Sequence, residues 1–218
     1  MNSAIKLSFK DLEVTPEDVS RYAGGSNYKP DAKRKRLAAD ILERASTLVN
    51  PAFVYTIRPL YTADPVFSFL PYENNGADKP FLASIICTIG SELESETSKL
   101  MTQGKALDAL FLDAVGVALL EALSDEVHSY LKNEAAKNRL FAGCRFGPGY
   151  GNIPVDAQKI LFESVNAYAI GVKLKESGII FPLKSLSFWI MLTTKPPEAS
   201  IYKCQECTLK NCAYRIAR

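Results

Sequence analysis

The chain has 218 residues and 47% hydrophobic content, enough for one large domain with its own core. Its 26 basic and 24 acidic residues leave a formal charge of +2, which gives no electrostatic footprint for nucleic acid. Residues 1–9 lack the basic region, apolar core and cleavage site of a secretory signal, and the apolar stretch 106–123 carries Asp108, Asp113 and Glu121, costly in lipid. A cytoplasmic protein with no membrane or nucleic-acid partner is the expectation.

Thr15-Pro16-Glu17-Asp18 reads as a cap, a Pro at the first helical position and acids in the first turn, which predicts a helix to residue 22 ending at Gly24-Gly25. Ala38, Ile41, Leu42, Ala45 and Leu48 recur at helical spacing over 31–49, and Asn50-Pro51 closes that helix. The run Lys33 to Arg36 is a solvated helix face. Residues 53–57 and 66–70 are short β-branched or aromatic runs bounded by prolines, and 81–89 is a more continuously apolar one; all three read as strands, the last central. A helix then runs over 90–103, ended by Gly104, followed by the longest helix over 105–138. A loop around Arg145, a helix over 154–168 and β-rich pieces at 170–174 and 186–192 complete the pattern.

Helices and strands without strict alternation predict an α+β fold, a single domain whose largely antiparallel twisted sheet is flanked by helices. Lys195-Pro196-Pro197-Glu198 marks the boundary between a domain of 1–194 and a cysteine-rich tail of 195–218. Within the domain, 1–50 is expected to be helical and 51–194 to hold the sheet. The tail carries Cys204, Cys207 and Cys212. A zinc site, an iron–sulfur cluster, a reducible disulfide and free thiols all fit this spacing, and a zinc site would need a fourth ligand, for which Cys144 is available. Cys87, in an apolar run, is expected to be a buried small residue.

No packing rule requires the stretch Cys144-Arg145-Phe146-Gly147-Pro148-Gly149-Tyr150-Gly151-Asn152-Ile153-Pro154, followed by Gln158. Pro-Gly and the flanking glycines make a turn whose amides can approach a ligand, and Arg145 offers a fork suited to a carboxylate. On turn chemistry alone a structural loop and a ligand loop both remain open.

The stretch resembles the Arg-x-x-Pro-Gly-Tyr signature of the S-adenosylmethionine-binding activation domain of cobalamin-dependent methionine synthase, in its stand-alone form. Arg21, Tyr22 and Gly24, Thr88-Ile89-Gly90, Leu112-Asp113-Ala114, Ile170-Gly171-Val172-Lys173-Leu174 and Pro182-Leu183-Lys184-Ser185 with Ser187 extend the likeness, as does the Cys tail with Ala213-Tyr214-Arg215. The resemblance implies an S-adenosylmethionine site at Arg145, Gly147, Pro148, Gly149, Tyr150 and Gly151, with Glu121 from the long helix. Asp113, Lys184 and Ser185 are expected beside it, Asp113 as a structural acid fixing Arg145. It departs from the pattern at Gly147, Asn152 and Phe188, the last where many relatives have Gly.

The function implied is reductive methylation of cob(II)alamin, with no catalytic side chain, because the methyl donor is already activated. His128, the only histidine, reads as a helix-surface residue; Glu126-x-His128-x-x-Leu131 does not supply the Asp-x-His-x-x-Gly loop of a corrinoid module. Cobalamin is therefore expected from a partner, a corrinoid-binding protein or a methionine synthase lacking its own activation domain, with an electron donor such as a flavodoxin or ferredoxin. A metal or redox adaptor using the Cys tail, and an activase of another corrinoid methyltransferase, are the competing readings.

Overall fold

The computed structural model describes residues 4–25, 27–69, 80–150 and 153–196. Its strands are β1 (Ile5–Lys6), β2 (Ala52–Pro59), β3 (Phe81–Thr88), β4 (Phe141–Phe146), β5 (Lys173–Leu174), β6 (Ile180–Phe181) and β7 (Ser185–Thr193). Five of them form an antiparallel sheet in the order β1-β2-β3-β7-β4, while β5 and β6 pair as a separate hairpin. The α+β, largely antiparallel expectation holds, and β3 is central as expected. The 1–50 part is not purely helical, because β1 joins the sheet edge through Ile5 opposite Phe53.

The sheet divides the interior in two. Strand alternation sends Phe53, Ala83, Ile85, Cys87, Phe188, Ile190 and Leu192 to one face. There they pack against α1 (Pro16–Gly24), α2 (Ala32–Ala45), α3 (Glu92–Thr102) and α4 (Ala106–Lys137). Val54, Leu82, Ile86, Phe146 and Trp189 point the other way, onto the segment that holds α5 (Gln158–Ser164). Each fully buried Leu, Ile or Phe here contributes about 1.5–3 kcal/mol.

Helix α1 starts as the sequence dictates, with the Thr15 side chain accepting from the Asp18 amide and Pro16 in the first turn. α4, 32 residues and about 48 Å long, is the spine. Leu112, Val115, Leu119, Leu123, Val127 and Leu131 form its buried stripe. It ends at Asn138, after which Arg139 takes a left-handed φ of 58° and turns the chain into β4. Among the described residues no helix is long and apolar enough to cross a membrane.

Three expectations need correction. The run starting at Val66 is a 3-10 helix, Pro65–Phe69, not a strand; the Asp64 carboxylate accepts from the Tyr61 amide and pairs with Arg58, coiling the chain just before it. Leu70 lies outside the described residues. The helix expected over 154–168 is broken into a 3-10 turn, α5 and a second 3-10 turn, because Val165 is extended and Thr56 caps the Ser164 carbonyl instead (3.0 Å). Arg145 stands on a strand rather than in a loop.

Candidate functional site

A β-bulge places the key cation. Ala142 pairs with Leu192 and Arg145 with Ile190, so three steps along β4 match two along β7. Leu192 and Ile190 both face the α4 side, and the extra residue brings Arg145 onto that side; in unbroken register Cys144 would stand opposite Ile190. Bulges re-aim single side chains in this way, and they hide a strand from any period-two reading.

Arg145 reaches α4. Its Nη1 donates to the Ser124 hydroxyl, and its Nη2 lies 2.8 Å from Asp125 Oδ1. Ser124 is buried and donates to the Glu121 carbonyl (2.8 Å). One turn on, Nε2 of His128 donates to the Gly143 carbonyl (2.9 Å), tying the bulge itself to the helix. His128 is thus half-buried and structural rather than a free surface residue; burial pushes its pKa down, the Gly143 bond opposing. Cys144, between them, is half-buried.

Gly147-Pro148-Gly149-Tyr150 follows as a tight turn. The Tyr150 amide donates to the Gly147 carbonyl (3.0 Å) and Gly149 sits at φ 85°, a conformation that costs a Cβ-bearing residue energy. The turn lies against β7. A Cβ on Gly147 would meet the Ser187 carbonyl at 2.9 Å and Phe188 Cα at 3.2 Å. Two of the sequence's departures from the signature, Gly147 and Phe188, are therefore neighbours, the bare glycine leaving room for the strand that carries the phenylalanine.

The turn delivers Tyr150 back to α4. The residue is 54% exposed. Desolvation and the Glu121 carboxylate push its pKa up, with Arg145 opposing. Glu121 is half-buried, and burial raises its pKa above the ordinary carboxylate range; Arg145 and Arg21 pull it down, and Asp125 adds to the rise. Arg145, Tyr150 and Glu121, chosen from sequence, thus come together. Arg21 and Tyr22 of α1 join them from the other side, with the Arg21 guanidinium 4.9 Å from the Tyr22 ring centre. A cleft of about 410 Å³ lined by Tyr28, Lys29 and Lys35 shares only Arg21 with this group.

The remaining candidates lie elsewhere. Lys184 pairs with Asp113 at 2.7 Å, so Asp113 does not fix Arg145. Ser185 is buried and donates to Thr88 (2.9 Å). It stands five residues before Ile190 on β7, about 17 Å from the strand position opposite Arg145. Gln158 opens α5 with Oε1 buried and unpartnered among the described residues. Gly151, Asn152, Cys204, Cys207 and Cys212 lie outside the described residues, and no group of metal-ligating side chains occurs among those described. Cys87 is fully buried, which pushes its thiol up to about 12.

Ser124 and Asp125 escaped the sequence reading, which also placed His128 at the helix surface and gave it no contact with the Arg145 strand. The signal was present: Glu121, Ser124, Asp125 and His128 follow at helical spacing and make one polar stripe along α4.

A family profile described as "Vitamin B12 dependent methionine synthase, activation domain" matches residues 67–217, more than half of the chain. The chain belongs to this family. The fold of the activation domain is borne out by a crystal structure of the MetH reactivation domain bound to AdoHcy, 17% identical, with a TM-score of 0.67 over 92% of this chain and 81% of that one. No curated protein matches the chain.

Proposed function

We propose that this activation domain binds S-adenosylmethionine at Arg145, Tyr150 and Glu121. In this reading it supports reductive methylation of cob(II)alamin held by a separate corrinoid protein, a methionine synthase without its own activation domain. The observation that carries the reading is the convergence of these three groups on the α4–β4 face. The solved relative is described as bound to AdoHcy, the product such a methyl transfer would leave.

The donor set fits the ligand's chemistry. The Arg145 fork suits a carboxylate, an ionised Glu121 suits the cationic end, and the exposed Tyr150 ring gives a flat face. Gly147, Pro148 and Gly149 hold that ring, with Gly151 next in the turn's sequence. Bound there, S-adenosylmethionine would supply an activated methyl group. With the partner's corrinoid as substrate, one electron from a flavodoxin or ferredoxin would bring it to the cob(I) state, and the methyl group of the bound S-adenosylmethionine would then pass to it with the thioether as leaving group. The protein's residues supply orientation and charge and move no proton. The tail of 195–218 enters only through its cysteine spacing, so metal content belongs in the same measurement.

Titration calorimetry with S-adenosylmethionine tests the site. Saturable, stoichiometric binding is expected, weakened about 100-fold in Arg145→Ala by loss of charge-assisted bonds. No binding at millimolar ligand, or equal binding by the variant, overturns the assignment.

A further inference from the structure

We propose that Asp125 is an internal rival for the Arg145 fork, and that it sets the affinity and selectivity of the site for ligands that carry a carboxylate. The proposal rests on Arg145 being the carboxylate-binding group of the function proposed above.

A guanidinium offers a carboxylate two bidentate edges, Nη1 with Nη2 and Nε with Nη2. Nη2 belongs to both, and it is the nitrogen that Asp125 Oδ1 holds at 2.8 Å. Any incoming carboxylate must share that nitrogen or displace Asp125. The two present partners of Arg145 differ in kind. Ser124 is 2% exposed and fixed by its own bond to the Glu121 carbonyl, so it anchors one arm of the fork. The Asp125 side chain is 69% exposed and can exchange the guanidinium for water at little cost. Ser124 therefore aims the fork, and Asp125 keeps its ligand edge paired until a better carboxylate arrives. A ligand without a carboxylate leaves the pair intact.

The experiment compares S-adenosylmethionine with decarboxylated S-adenosylmethionine by calorimetry, on wild type, Arg145→Ala, Asp125→Asn and Ser124→Ala. Asp125→Asn should tighten S-adenosylmethionine about two- to fivefold, the range of an exposed ion pair, and leave the decarboxylated ligand unchanged. Ser124→Ala should weaken S-adenosylmethionine. Weaker S-adenosylmethionine binding in Asp125→Asn would make Asp125 a positioning residue and overturn the proposal, as would equal tightening of both ligands. Either failure leaves the site assignment standing if Arg145→Ala still weakens binding about 100-fold; loss of the Arg145 dependence itself removes both readings. Melting temperatures of the exposed Asp125→Asn variant confirm that folding is not the variable.

Discussion

Among the described residues two ion pairs join α4 to β4 and to the turn before β7, and they differ in what surrounds them. Near the start of the helix, Lys184 meets Asp113 at 2.7 Å with the lysine 14% exposed, and its stem packs where a Cβ on Gly116 would fall, 2.9 Å from Lys184 Cε. Farther along, Arg145 meets Asp125 and Ser124, with Glu121, Tyr150 and Tyr22 within electrostatic range. The first is a simple pair: one cation with a buried stem and one half-exposed acid. The second keeps an acid whose charge burial disfavours and a ring left half in water. Proximity of opposite charges does not separate a brace from a binding site; unspent polar groups around the pair do.

The sharpest test of that contrast exchanges the two neighbours, Cys144→Arg with Arg145→Cys, which takes the guanidinium off the position opposite Ile190 while keeping the bulge. S-adenosylmethionine binding should weaken as much as in Arg145→Ala in calorimetry, while far-UV dichroism stays folded. If binding survives, the bulge is not what aims the fork. Next in size, Glu121→Gln should weaken S-adenosylmethionine about tenfold at neutral pH, through loss of a charged partner. Its pH dependence has a defined sign. Because burial raises the Glu121 pKa, wild-type affinity should fall as pH drops through a value above the usual glutamate range, and the Gln variant should show a flat profile. The same shift means that ionised Glu121 opposes folding above the ordinary carboxylate pKa, so Glu121→Gln should melt higher at neutral pH and lose that advantage in acid.

Gly147→Ala should cost about 1–3 kcal/mol in urea unfolding, since its Cβ would press on the Ser187 carbonyl and the β7 backbone. The smallest effect belongs to the brace. Lys184→Met should shift stability by about 1 kcal/mol or less and leave ligand affinity unchanged. A large loss of affinity in Lys184→Met would erase the distinction between the two pairs.

What was legible in the sequence followed the strength of local signals. The α1 cap, the long apolar helix and β3 are written in residues whose capping chemistry, periodicity or continuous hydrophobicity speaks for itself. β4 was invisible because Gly143 and the bulge destroy its alternation, and the Arg145 partners were missed because Ser124 and Asp125 carry no signature taken singly. Arg145, Tyr150 and Glu121 were found through a resemblance, and what the fold adds is the route by which they meet. Asp113 was misplaced for the converse reason: it pairs with Lys184 rather than Arg145, and an acid on a helix face looks the same whichever cation it meets.

The contacts that build the candidate site are short in sequence: 15 residues separate His128 from Gly143, and 21 separate Ser124 from Arg145. Closing such small loops demands little chain entropy, so α4, the turn at Arg139 and β4 form a locally closing unit within the larger sheet. Damage remote from that unit, in β1 or α2 for instance, should then lower the fraction of molecules that bind while those that remain folded bind with unaltered affinity.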